Sequence, residues 1–191
     1  MGRYASVAGR CDNQRLRPYF CSVTFPLLSI DPIDDTLWAG IQHVQAEVYH
    51  QIEPESTDTL RSKWLASPGC CFAARTRQGG QARHQAHGPV LAYLLAHAWD
   101  SETPPKLYQP IAPGAGKGRY LFLHDLAVSK RAAGLGLGRQ MVERLLAVAR
   151  KLDFAQVRLV AVQGSVPFWR KMGFEAVPAS RPAPAMASMP P

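Results

Sequence analysis

The chain has no apolar run near the roughly 20 residues that cross a bilayer, so a membrane span is not expected. Cysteine is scarce: Cys11, Cys21, Cys70 and Cys71 are the four present. None is spaced as a zinc site. The adjacent pair sits in an apolar run and reads as buried reduced thiols, which fits a cytoplasmic protein without a metal. The N-terminus lacks the continuous apolar centre of a signal peptide. Met1-Gly2 with Ser6 matches the myristoylation pattern, which is too short to separate from chance. No internal repeat is visible. Acidic residues are outnumbered, 14 against 22 Lys and Arg, leaving a formal net charge of +8. Such an excess attracts polyanions. The basic residues are scattered, however, with no RNA-binding signature and no aromatic-interleaved basic run. Nucleic acid is not the expected partner, but the charge would equally suit a polyanionic cofactor and does not decide by itself.

What is present is a globular composition, 47% hydrophobic over 191 residues, enough for one domain with a real core. Residues 1–20 read as an irregular basic arm, 21–177 as the domain, and 178–191 (ending PAPAMASMPP) as a Pro/Ala-rich tail that does not pack. Within the domain, 21–30 reads as a strand interrupted by Pro26. A helix follows Asp34 or Asp35, with Leu37, Trp38, Ile41, Val44 and Val48 at helical spacing. A second short helix starts at Ser56, with Leu60, Trp64 and Leu65 as its apolar side. Strands are expected over 70–75, 90–99 and 120–128, separated by a Gly-rich loop and a Pro/Gly-rich crossing at 101–118. A helix from 137 to 152 carries the stripe Leu137, Met141, Leu145, Val148 and Leu152. A strand at 157–162, a short helix at 165–172 and a strand at 174–177 complete the order. This is a mixed α/β (α+β) domain, not a regular βαβ alternation.

The stretch LHDLAVSKRAAGLGLGRQMVERLL joins a strand to a helix through Gly134, Gly136 and Gly138. Glycines there allow positive φ and gather backbone N–H groups round one point. The helix behind them adds unpaired N–H groups and the positive end of its dipole. Residues 134–139 (Gly134, Leu135, Gly136, Leu137, Gly138 and Arg139) thus form a candidate anion seat, suited to phosphate or pyrophosphate. A Rossmann site requires GxGxxG early in the sheet and an acid at the end of the next strand. The spacing here is GxGxG, the position is late, and that strand ends in Gln163. A Walker loop requires GxxxxGK[ST]. PGAGKGR has Ile111 and Gly118 at two of the required positions.

Together with VRLVAVQGSVPFWRKMGF, this stretch resembles the GNAT superfamily of acetyl-CoA-dependent N-acetyltransferases, over roughly residues 30–177. The resemblance implies a single GNAT-type domain, a twisted mixed sheet whose fourth and fifth strands splay apart to hold a thioester. It implies acetyl-CoA as co-substrate and an amine as acceptor. The loop N–H groups would seat the coenzyme A pyrophosphate. Leu126 and Val128 would offer backbone groups to the pantetheine arm, and Ser165 and Phe168 would border the coenzyme. The family pattern Arg/Gln-x-x-Gly-x-Gly/Ala fits in two registers. One uses Arg131, Gly134 and Gly136. The other uses Ala133, Gly136 and Gly138 and is favoured by counting from Val128.

For chemistry, acetyl transfer needs a base for the amine and a donor for the oxyanion. His124 and Asp125 precede the glycines. LHDLAV is similar to the matching strand of arylalkylamine N-acetyltransferases, where a His at the place of His124 is the base. Side chains alternate on a regular strand, so His124 and Asp125 both line one cleft only if a β-bulge intervenes. Tyr49, Glu55, His97 and Trp99 are candidates for acceptor recognition, from the turn and strand end that border the acceptor site in the family. Where many relatives place a Tyr as acid for the thiolate, this chain has Trp169. The family's further strand after GFE is also missing, and an edge left open there would suit a homodimer. The expected function is acetyl transfer to a small primary amine in a ternary complex. The alternatives are a non-catalytic acyl-CoA-binding protein and a basic nucleic-acid-binding module.

Overall fold

The computed structural model describes residues 5–9, 28–50, 52–77, 87–112 and 116–176. The expectations for 10–27, 78–86 and 177–191 lie outside the described residues. Seven strands form one sheet: β1 Ala5–Gly9, β2 Leu28–Pro32, β3 Phe72–Arg77, β4 His87–Trp99, β5 Tyr120–Val128, β6 Gln156–Ala161 and β7 Glu175–Ala176. The order across the sheet is β2-β3-β4-β5-β6-β1-β7. Neighbours from β2 to β5 are antiparallel, and β5 with β6 is parallel. The helices are α1 Trp38–Val48, α2 Thr57–Ala66, α3 Leu137–Lys151 and α4 Val166–Lys171.

The sheet separates two cores, because successive side chains on a strand face opposite ways. On one side Leu94 and Leu121 meet Met141 and Leu145 of α3 and Trp169 and Phe174 beyond β6. On the other, Tyr93 and Leu95 meet Ile41 and Val44 of α1 and Leu60 of α2. The expected stripes are mostly buried, with two exceptions. Leu152 follows the last residue of α3 and is 54% exposed, because the helix ends at Lys151. In α2, Leu65 is 62% exposed while Lys63 is buried in its place. A charge goes inside here because a carboxylate waits for it, as described below.

Residues 5–9 depart from the irregular arm expected of 1–20. They pair antiparallel with β6 and with β7. The segment ASVAG lacks the alternation of large apolar residues that marks a strand. Its place is between β6 and β7, so the two-residue β7 forms that edge of the sheet among the described residues.

Two irregularities of β5 make the site. Its pairing with β6 runs from Tyr120↔Gln156 to Leu123↔Leu159 only, after which β5 continues to Val128 beside β4 alone. The two strands therefore part, the splay expected of the fourth and fifth strands by the sequence count. Second, Leu95 pairs with Asp125 but Ala96 pairs with Leu123. His124 is thus an extra residue, a β-bulge. Below the splay the crossing segment is fastened to the sheet. Glu102 accepts from the Tyr120 hydroxyl at 2.9 Å and from Arg158 at 2.9 Å, with Arg158 stacked 3.4 Å above the Tyr120 ring.

Candidate active site

Two cavities meet where β5 and β6 part. A slot of about 350 Å³ is lined by Leu126, Val128, Gly138, Leu159, Ser165 and Phe168, among others. An outer cavity of about 400 Å³ is walled by Ile52, Pro104, Pro105, Leu107, Tyr108 and Phe122. Tyr49, His124, Asp125, Val160 and Val162 line both. The bulge makes this possible: with one residue added, His124 and Asp125 share the face that regular alternation would divide.

The slot is a backbone construction. Gly134 (φ +79°) and Gly136 (φ +67°) take the left-handed conformation, and Gly136 is the N-cap of α3 with no side chain bonded to the helix start. The N–H groups of the first helical turn, at Leu137, Gly138 and Arg139, have no carbonyl four residues back to pair with in a helix. They and the helix dipole attract an anion. Gly138 lines the slot with Val128 and Phe168 beside it, whereas Gly134 does not reach it, which favours the register of Ala133, Gly136 and Gly138. The side chains of Leu137 and Arg139 do not line the slot. Leu137 is buried in the core, and the Arg139 guanidinium faces solvent, 2.7 Å from Glu143. Trp169 lines the slot and donates its indole N–H to Ser165 Oγ at 3.1 Å.

The floor of the outer cavity is a side-chain construction. Glu55, in the loop between α1 and α2, receives His124 Nε2 on Oε2 at 2.5 Å. Its Oε1 accepts from Lys63 Nζ at 2.8 Å and from the Tyr108 N–H at 2.7 Å. Burial alone would raise the Glu55 carboxyl, but the hydrogen bonds and charges of His124 and Lys63 outweigh it and bring it down to about 2. An ionised carboxylate only accepts, so His124 carries its proton on Nε2 when neutral and its lone pair on Nδ1. Nδ1 has no partner among the described residues. The His124 side chain is 2% exposed although the residue is half-buried, so its accessible surface is mainly main chain. A bulged residue leaves its ladder groups unpaired. His124 borders both cavities.

Asp125 accepts from the hydroxyls of Tyr49 and Tyr93, the latter at 2.6 Å. Burial pushes its carboxyl up against the pull of those two bonds. Burial first, then the charge of Asp125, drives both tyrosines well above their ordinary value, so they stay protonated.

Of the residues proposed from sequence, Tyr49 and Glu55 reach the outer cavity, while His97 and Trp99 line neither cavity. His97 is fully buried against the rings of Trp99 and Phe122, and burial brings it down to about 4. Trp99 is tied to the crossing segment through its indole N–H and the Thr103 carbonyl, 2.8 Å apart. Both close the end of β4 rather than the cavity. Sequence reasoning missed Lys63, Tyr93, Phe122 and the wall at 104–108. Lys63 carried a signal: it lies three residues after buried Leu60, on the face α2 turns inward. Cys70 and Cys71 are free, buried thiols, and burial pushes Cys71 up to about 12.

A slot beside the uncapped start of α3, joined to a second cavity at Tyr49, His124 and Asp125, has room for a long anionic carrier next to an acceptor. The chain belongs to the acetyltransferase (GNAT) family, whose model matches residues 38–174. Solved structures share the fold at low identity. Ard1 from Thermoplasma volcanium is 13% identical with a TM-score of 0.57, over 76% of this chain and 81% of that one. Arabidopsis thaliana Naa50 in complex with the bisubstrate analogue CoA-Ac-MVNAL is 14% identical with a TM-score of 0.52, over 78% and 83%. The GphF GNAT-like decarboxylase in complex with isobutyryl-CoA is 18% identical with a TM-score of 0.55, over 76% and 71%. A sequence comparison with curated proteins finds no match. Among the described residues no helix is long and apolar enough to cross a membrane, and no group of His, Cys, Asp and Glu could hold a metal ion.

Proposed function

We propose that this acetyltransferase moves an acetyl group from acetyl-CoA to a small primary amine with an apolar body, by direct attack in a ternary complex. The observation that carries the reading is the meeting of the slot and the outer cavity at Tyr49, His124 and Asp125. Acetyl-CoA enters the slot with its pyrophosphate on the N–H groups at the start of α3 and its pantetheine arm along Leu126 and Val128. The amine comes from the outer cavity. His124 is the base: its Nδ1 holds the lone pair, and Glu55 steadies the imidazolium that forms. With the ring 2% exposed, the proton crosses one water instead of passing by direct contact. The main-chain N–H of the bulged His124 is the donor for the oxyanion of the tetrahedral intermediate. No tyrosine replaces Trp169 as acid. The Tyr49 hydroxyl lines both cavities, but its proton is committed to Asp125. The sulfur therefore leaves as thiolate and takes its proton from solvent.

The polar groups of the outer cavity floor are already occupied, which argues for the apolar acceptor. Glu55 accepts three donors and Asp125 two. The walls are Ile52, Leu107, Phe122 and two prolines that lack an N–H, and the exposed Glu53 and Lys106 are the charged residues of the lining outside that floor. A peptide entering there would leave its own amide groups unpaired, at about 1–3 kcal/mol each. Thiol release from acetyl-CoA with an amine panel tests this. Phenylethylamine or hexylamine should exceed a short peptide or putrescine by about tenfold or more in kcat/KM, the equivalent of one such group. Faster turnover of the peptide would overturn the small-amine reading, and no amine-dependent thiol at all would overturn acetyl transfer to an amine.

A further inference from the structure

Lys63 lies opposite the catalytic pair and is fully buried. Removing a lysine from water is costly, and apolar residues of similar volume would often serve stability as well or better. What the ammonium does that a methyl group cannot is hold two partners at once. It donates to Glu55 Oε1 at 2.8 Å and to the Gln109 carbonyl at 3.4 Å. The same Oε1 accepts the Tyr108 N–H at 2.7 Å, and the other oxygen faces His124 at 2.5 Å. The neighbouring Ser62 Oγ accepts the Ile111 N–H at 2.9 Å, so consecutive residues of α2 fasten 108–111. Tyr108, at the inner end of the 104–108 wall, has φ +61°, a left-handed turn that a bulky residue keeps only when its surroundings impose it.

We infer that Lys63 is a positioning residue that locks the acceptor wall and the base into one unit, through the single carboxylate of Glu55. Seating an acceptor against residues 104–108 then bears, through the Tyr108 amide and Glu55 Oε1, on the oxygen that aligns His124. This rests on the assignment of the outer cavity to the amine and of His124 as base.

Two variants and one measurement on the unaltered protein test it. Lys63→Met should raise the acceptor KM and lower kcat together, each on the order of tenfold, since small misplacements at a site are costly. The Kd for acetyl-CoA should stay as in the parent. Ser62→Ala cuts the outer fastening alone and should raise the acceptor KM with kcat unaltered. A folded Lys63→Met enzyme with parental kcat and KM overturns the inference, and so does one that loses kcat with no change in acceptor KM. In the wild-type protein the Tyr108 amide should exchange its hydrogen as slowly as the amides inside α2. Exchange at the rate of a free loop overturns the inference even where Lys63→Met does not fold. Because that measurement needs no turnover, it also separates failure of the lock from failure of the acetyl-transfer reading.

Discussion

The slot and the outer cavity are built from different materials. The slot leans on main chain: the uncapped start of α3, with Gly138 in its lining, and the free edge of a strand that has parted from its neighbour. The outer cavity is side chains drawn from four places: the loop before α2, α2 itself, the crossing segment and β5. A main-chain site needs glycine and a fixed spacing, and it tolerates almost anything else. A side-chain site needs particular groups at particular distances. The two should therefore fail differently.

The largest expected effect is on the slot. Gly136→Glu imposes φ +67° on a residue with a Cβ and sets a carboxylate where the pyrophosphate is to sit. Little crowds the new Cβ, and an acid at a helix start favours the helix. The protein should stay folded and lose coenzyme affinity by a hundredfold or more, on the order of 3 kcal/mol, read by calorimetry. Unchanged affinity would break the comparison. His124→Ala addresses the other material. It should lower kcat by about 10²–10⁴-fold, the usual share of a general base, with the coenzyme Kd intact. A parental kcat would remove His124 from the mechanism.

A smaller effect comes from His97. Its folded value of about 4 lies below the ordinary 6.5, so the folded state binds fewer protons than the unfolded one. Stability should fall as pH drops from about 6.5 towards 4, by at most a few kcal/mol, and level off below. Glu55, also lowered, adds a second loss as pH falls from about 4.5 towards 2. Denaturant midpoints across this range should show less of the first loss in His97→Phe. An identical slope in that variant would mean that His97 does not stay neutral in the fold. The smallest effect belongs to Trp169→Phe. It removes the indole N–H bonded to Ser165 and leaves the packing against Phe168 and Phe174. If the sulfur leaves as thiolate, kcat should stay within about fivefold, since a neutral hydrogen bond contributes roughly 1 kcal/mol. A large loss would show that residue 169 assists departure.

The same division explains what could be read in advance. Hydrophobic period placed the strands other than β1 and the helices, and glycine spacing marked the start of α3, because those depend on local sequence. LHDLAV pointed to His124 and Asp125, and the bulge that lets both face the cleft is a register event between strands, visible only once Leu95 and Ala96 are seen to skip a partner. Lys63 was hidden by its type. A lysine reads as surface until a carboxylate eight residues earlier folds over it. His97 and Trp99 stood at a promising strand end, but the rings beside them and the Thr103 carbonyl take them out of the cavity. ASVAG is too small-sided to announce a strand.

The clasp of Glu102 on Tyr120 and Arg158 has a use beyond stability. It anchors one end of the 104–108 wall, and the Tyr108 amide anchors the other. Residues 104–107 hang between two fixed posts like an exchangeable panel. On the proposed assignment of the outer cavity to the amine, their sequence can be rewritten for a new acceptor without disturbing the sheet, His124 or the start of α3. That makes this short stretch the natural place to redesign the enzyme.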